Sequence, residues 1–200
     1  MNIFYNAVKS GEFLITAEVA PPKGANPTHM IQMAKTLKGR VHAVNITDGS
    51  RAVLRMSSLV ASIILKNHGL EPICQVACRD RNRIALQADL MGASALGLHN
   101  ILALTGDPVK AGDHEKARSV FDMESIRLLQ MIAKLNQGMD WNEKTLPDGP
   151  TDLFVGAAVD PQSPSWSGLK RRFELKLLAG SQFFQSPVSY THLTLPTRTR

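Results

Sequence analysis

Cysteine is nearly missing from this chain: Cys74 and Cys78 are the only two in 200 residues. They are spaced CxxxC inside an apolar run, with no second pair and no nearby histidine, so a zinc site is not expected. Long hydrophobic runs are missing as well. The opening MNIFYNAVKSGEF has no basic segment leading into an apolar one, and no stretch approaches the length of a membrane span. These absences lead to the expectation of a soluble protein in a reducing, cytoplasmic compartment, with no metal and no membrane partner. Concentrated charge is the third absence. Lys and Arg number 23 against 17 Asp and Glu, a net charge of +6, and without Arg198 and Arg200 the balance is 21 to 17, or +4. The only dense basic cluster, Lys170 to Arg172, is the kind of run that forms a solvated helix face, so no nucleic-acid partner is expected.

What is present is alternation. Five apolar runs of strand length, FLITAEV, VHAVNIT, PICQVAC, NILALTG and LFVGAAV, each end in polar or glycine-containing turns. Between and after them come helical patterns over Pro27 to Leu37, Met56 to Asn67, Arg81 to Leu98, Met123 to Asn136 and Ser165 to Ala179. In the fourth of these, Asp122 is placed to cap the start and Gly138 lies beyond the end. Strand followed by helix, five times over, predicts a parallel sheet, either open and doubly wound or closed as a barrel. The first strand-helix junction, EVAPPKGANP, lacks the glycine fingerprint of a dinucleotide-binding unit, which counts against the open form. Polar residues end nearly every strand: Glu18, Thr47 and Asp48, Arg79 and Asp80, Thr105 and Asp107, Asp160. A barrel gathers such ends on the face where its chemistry is done. The fold expected is therefore α/β, a (β/α)8 barrel, and an incomplete one, since five units and the start of a sixth strand at Gln182 to Gln185 are counted where eight are needed.

Alternation along LITAEV puts Leu14, Thr16 and Glu18 on one face of the first strand. Glu18 at that strand's end is either a surface glutamate paired with Lys23, the commoner case for a strand-end carboxylate, or a candidate general acid. Thr105, Gly106 and Asp107, with Pro108 holding Asp107 extended, either line a ligand or close an ordinary turn. Thr47, Asp48 and Gly49 present the same choice. Gln75, flanked by Cys74 and Val76, either faces a ligand or pairs inside the barrel. His99 and His114 have no catalytic or metal-ligating companions at useful spacing and are read as structural or surface residues.

Taken in order, AEVAPPKG, VNITDGSRA, CQVACRDRNR, ALQADLMGASALGLHNILALTGDPVKAGDH and AGSQFFQ resemble the methylenetetrahydrofolate reductase family from about Phe13 to Gln185. The resemblance implies a flavin-binding TIM barrel of one-carbon and methionine metabolism. In it FAD carries a hydride from NADH, NADPH or a protein electron donor to methylenetetrahydrofolate, giving methyltetrahydrofolate. By the same resemblance Glu18 and Asp107 are catalytic, Glu18 protonating the folate as its five-membered ring opens and Asp107 standing beside the flavin. Thr47, Asp48, Ser50, Gln75, Thr105, Gly106, Asp107, Asp122 and Lys176 are implied to bind FAD, Lys176 near its phosphates. A homo-oligomer is left open for the intact protein. The chain departs from some relatives, which have His at the place of Gln75 and Arg at that of Thr105. The alternative is a non-catalytic flavin- or folate-binding subunit working with a partner protein.

After FFQ the family continues with a Thr-Gln-Pro-Val type of segment whose glutamine contacts folate, whereas Ser186 and Pro187 stand here. PVSYTHLTLPT resembles a translated sequencing-library adapter. The expected organisation is thus a partial reductase-like barrel over 1–186 and a non-native tail over 187–200, with little or no activity in the fragment itself.

Overall fold

The computed structural model describes residues 2–186; Met1 and the stretch 187–200, on which the expected tail falls, lie outside the described residues. Each apolar run supplies one short strand: β1 Thr16–Val19, β2 Ala43–Ile46, β3 Pro72–Ala77, β4 Asn100–Leu104 and β5 Phe154–Ala158, and β6 Phe183–Gln185 follows. All neighbours pair in parallel, in the order β1-β2-β3-β4-β5-β6. Sequential parallel order with helices between the strands is barrel topology, and this curled sheet is an incomplete (β/α)8 barrel.

The helices are α1 Ile3–Ser10, α2 Thr28–Lys35, α3 Ser58–Asn67, α4 Arg83–Ala95, α5 Ser125–Asn136 and α6 Trp166–Leu178. Helices α2 to α6 fall inside the expected ranges, shortened by no more than three residues at either end. Local capping sets some of these ends. Asn82 stops α4 from starting earlier, its Oδ1 accepting from the amides of Ile84 and Ala85 at 3.1 and 3.0 Å. The expected cap of α5 is corrected: its N-cap is Glu124, and Asp122 turns away to Arg83. A salt-bridged, backbone-bonded partner on the neighbouring helix outcompetes a local cap.

Because parallel strands are covered on both faces, their side chains divide between two cores. Outward-facing Cys74, Val76, Ile101, Ala103 and Val155 pack with Leu86 and Leu90 of α4 and Leu128 and Ile132 of α5. Val19, Val44 and Ile46 pack outward against Met30 and Ala34 of α2 and Ala61 and Leu65 of α3. Inward-facing Ala43, Ile73, Leu102, Phe154 and Phe183 form a third cluster with Phe4.

Phe4 belongs to α1, an element absent from the sequence reading. This helix closes the amino ends of the strands. Phe4 meets Phe154 and Phe183 edge on, with ring centroids 6.0 and 5.1 Å apart, and Tyr5 meets Phe154 at 4.9 Å. Asn2 caps the helix through the Tyr5 amide and donates to Asn100 Oδ1 at 2.6 Å, tying α1 to β4. Asn100 in turn donates to Glu71 Oε1 at 2.7 Å. With the lower half of the interior filled by rings, the space left inside the sheet lies toward its carboxyl ends.

Candidate active site

That space is a cleft of about 820 Å³. Its wall starts at β1 and β2, where Glu18 and Asn45 stand opposite each other in register, and continues through Gln75 and Leu102 to Ala158 and Gln185. Thr16 and Glu18, which alternation puts on one strand face, both line this cleft, while Val19 points the other way into the helix-side core. The alternative partner for Glu18 is removed: Lys23 pairs with Asp113 at 3.3 Å. Among the described residues the Glu18 carboxylate has no hydrogen-bond or ion partner.

Two carboxamides stand beside it. Asn45 donates to Thr16 Oγ1 at 3.3 Å, and its Oδ1 is buried with no partner among the described residues. The Gln75 amide is half-buried, faces the cleft and has no side-chain partner among the described residues, so it takes the ligand-facing alternative. A desolvated, unpaired acceptor costs about 1–3 kcal/mol, which a polar ligand or water entering the cleft would relieve. On the far wall Lys176 donates to the Ala158 carbonyl at 2.6 Å. Burial, reinforced by the positive charge of Arg172 and partly offset by Glu124, lowers its pKa from the ordinary lysine value.

A second hollow of about 230 Å³ shares Gln75 and Leu104 with the cleft. It gathers Asp48, Ser50, Gln75, Thr105, Gly106 and Asp107 from the ends of β2, β3 and β4. Those six residues, expected around one cofactor, are brought together here although they come from three strands and the loops that follow them. Backbone shape makes the hollow possible. Gly106 has φ +93°, and a Cβ there would lie 3.0 Å from Arg79 Cβ and 3.2 Å from Ala77 Cβ. Gly49 has φ +54°, and its Cβ would meet Arg79 Nη2 at 2.6 Å. Only glycine adopts these angles without strain and leaves that room.

The acidic groups are held by backbone and by arginine. Asp48 Oδ2 accepts from the Ala77 amide at 2.9 Å and from Arg81 Nη2, and Arg81 Nη1 also reaches Asp89 at 3.0 Å. Asp107 Oδ2 accepts from the Arg51 amide at 2.7 Å, joining the β2 and β4 loops. Thr105 lines the hollow, but its Oγ1 donates to Ser125 Oγ and accepts from the Ser125 amide, each at 3.2 Å, so the hydroxyl is committed to the start of α5.

Two expected residues are elsewhere. Thr47 is buried, its hydroxyl lacks a partner among the described residues, and it borders neither space. Asp122 also borders neither; it accepts from Arg83 N at 2.9 Å and from Arg83 Nε and Nη2, both at 2.7 Å. The Arg83 side-chain and backbone hydrogen bonds hold its carboxyl well below the ordinary range. Lys176 lines the cleft rather than the smaller hollow.

Three further residues at these loops are not among the expected site candidates. Asn45 alternates onto the inner face of β2, a signal that period-2 counting contained. Arg79, whose side chain is 6% exposed, forms a wall of the smaller hollow, and only its position at a strand end hinted at this. Asp113 accepts from the Leu54 amide at 3.0 Å, from Lys23 and from His114, and these hydrogen bonds hold it well below the ordinary carboxylate range. It fastens three loops, which no local pattern shows. The cysteines are buried on the helix side, and desolvation pushes Cys74 up to about 11 and Cys78 to about 12, so neither is a thiolate nucleophile. No helix among the described residues is long and apolar enough to cross a membrane.

Among solved structures, the chain is similar to one described as an uncharacterized protein from Clostridium thermocellum that binds two copies of 5-methyl-5,6,7,8-tetrahydrofolic acid. The TM-score is 0.59 at 12% identity, over 94% of this chain and 59% of that one, a likeness of fold. The chain thus spans somewhat over half the length of that structure. No curated protein matches it. The family model described as methylenetetrahydrofolate reductase matches residues 4–193, nearly the whole length. An incomplete barrel with its polar residues at the carboxyl ends, matched along that length, means that the chain belongs to the methylenetetrahydrofolate reductase family.

Proposed function

We propose that the carboxyl-end face of this barrel binds FAD and methylenetetrahydrofolate and belongs to an enzyme that reduces the folate to methyltetrahydrofolate. The observation that carries this is the junction at Gln75, where the hollow holding Asp48, Ser50, Thr105, Gly106 and Asp107 opens beside the cleft that holds the unpartnered Glu18. A flat, hydrogen-bonding cofactor fits that arrangement on physical grounds. The glycines at 49 and 106 let backbone come close, the Gln75 amide can both donate and accept, and Asn45 Oδ1 waits for a donor.

When bound, FAD would supply hydride transfer from a reduced nicotinamide, or an electron-donor protein, to the folate. The chain's own residues then have separable tasks. Leu102 and Leu104 make a dry floor below the reacting groups. Asp107, held by the Arg51 amide, places its carboxyl group at the flavin pocket. Lys176, with Arg172 one turn away on α6, offers positive charge to phosphates. Asp48 and Ser50 face the cofactor from the β2 loop, whereas Thr47 and Asp122, which border neither space, have no contact with it to make. Glu18, with no partner among the described residues, delivers a proton to the folate as its ring opens.

The test is FAD titration of the intact protein by fluorescence quenching, followed by reoxidation of reduced flavin by methylenetetrahydrofolate. Glu18→Gln should keep flavin affinity and slow reoxidation by the folate about 100-fold or more. Folate reduction at the wild-type rate in that variant would falsify the assignment. Flavin binding with no turnover in wild type, whatever the donor, would instead point to a binding subunit.

A further inference from the structure

One buried charge in the smaller hollow has no task in that scheme. Arg79 follows the end of β3, with Gly49 against its guanidinium and Gly106 against its Cβ. Its Nε and Nη2 donate to Asp80 at 2.9 and 2.7 Å, and its Nη1 donates to the Gly49 carbonyl at 3.0 Å. One N–H on each terminal nitrogen is left without a partner among the described residues. The ion pair is lopsided. The Arg79 side chain is 6% exposed and the Asp80 side chain 51% exposed, so water screens the carboxylate far more than the guanidinium. The interior therefore feels a net positive charge from this pair, on a wall shared with Asp107.

We propose that Arg79 is a tuning residue for the redox cofactor: its guanidinium favours the electron-rich form of a planar heterocycle bound in the hollow, in opposition to Asp107, while Asp80 on the solvent side sets how much of that charge is felt. This rests on the flavin reading above, because two-electron reduction of a flavin adds negative charge to its ring and positive charge nearby stabilises that form. The arrangement has a directional consequence. Removing the cation and removing its counter-ion must shift the cofactor in opposite senses, which loss of packing would not do.

The experiment is the midpoint potential of FAD bound to the 200-residue chain, measured by slow enzymatic reduction against reference dyes. Arg79→Gln should lower the potential. Asp80→Asn, at an exposed position and retaining an acceptor for the guanidinium, should raise it. If Arg79→Gln fails to fold by circular dichroism, Asp80→Asn decides alone. An Asp80→Asn potential that is unchanged or lower overturns the tuning role, as does a folded Arg79→Gln whose potential does not fall; in either case wild-type FAD binding leaves the flavin reading standing. A wild-type chain that takes up no FAD overturns both.

Discussion

At the amino ends of the strands Phe4, Phe154 and Phe183 meet with centroids 5.1 to 6.0 Å apart, while at the carboxyl ends Glu18, Gln75 and Asn45 line a cleft and leave polar atoms unpaired among the described residues. The same strands make both ends, so the difference lies in which inward positions are apolar. Residues low on the inner face, Ala43, Ile73 and Phe154, pack; those higher, Asn45, Gln75 and Ala158, line the opening. One end holds the sheet together and the other keeps room for chemistry. The loops at the open end are nevertheless firm, because Asp48, Asp107 and Asp113 replace apolar packing with hydrogen bonds between neighbouring loops.

That division can be broken most forcefully at Phe154. Phe154→Ala removes a ring in contact with Phe4, Tyr5 and Phe183 and should cost about 3–5 kcal/mol in urea unfolding, with cofactor affinity kept in the folded fraction. Lost affinity at unchanged stability would show that the two ends are not separable.

A smaller effect is expected at Asp113. Its folded pKa is depressed, chiefly by the hydrogen bonds from His114 and Leu54, so its contribution is present above the ordinary carboxylate value and is lost as pH falls through the folded value. Asp113→Asn should lower the denaturation midpoint at neutral pH and converge with wild type in strong acid; a pH-independent gap would contradict the hydrogen-bonded role.

The smallest effect lies at the closed end. Burial raises the Glu71 pKa, against the opposing Asn100 hydrogen bond, so its contribution is most favourable below the ordinary value and is lost as pH rises through the raised one. Glu71→Gln, which retains an acceptor for Asn100, should slightly raise the neutral midpoint and leave the acidic one in place. A drop at neutral pH would mean that the carboxylate is needed there.

Much of the scaffold was legible because parallel strands buried on both faces are mostly apolar, as PICQVAC and NILALTG are apart from Gln75, Asn100 and Thr105. Helix α1 was not. Its eight residues acquire meaning only against Phe154 and Phe183, 150 and more positions downstream. Period-2 counting put Glu18 on the right face, yet Lys23, the partner suggested by nearness in sequence, went to Asp113, 90 residues away. Asp122 followed the same course, exchanging a local helix cap for Arg83, 39 residues back. Short-range patterns report what a residue could bind, and the competition is settled by whichever partner the fold brings close with less loss of solvation.

By itself the sequence determined the parallel α/β order, the outward apolar faces and the placing of polar residues at strand ends, since burial follows residue type and period. Only the tertiary structure decided that Asp48, Gln75 and Asp107 share one hollow, that Glu18 stands unpaired beside it, and that Arg79 rather than Asp80 carries the buried charge. Those outcomes depend on distances and screening between loops 29 or more residues apart, and such quantities exist only once the sheet has curled.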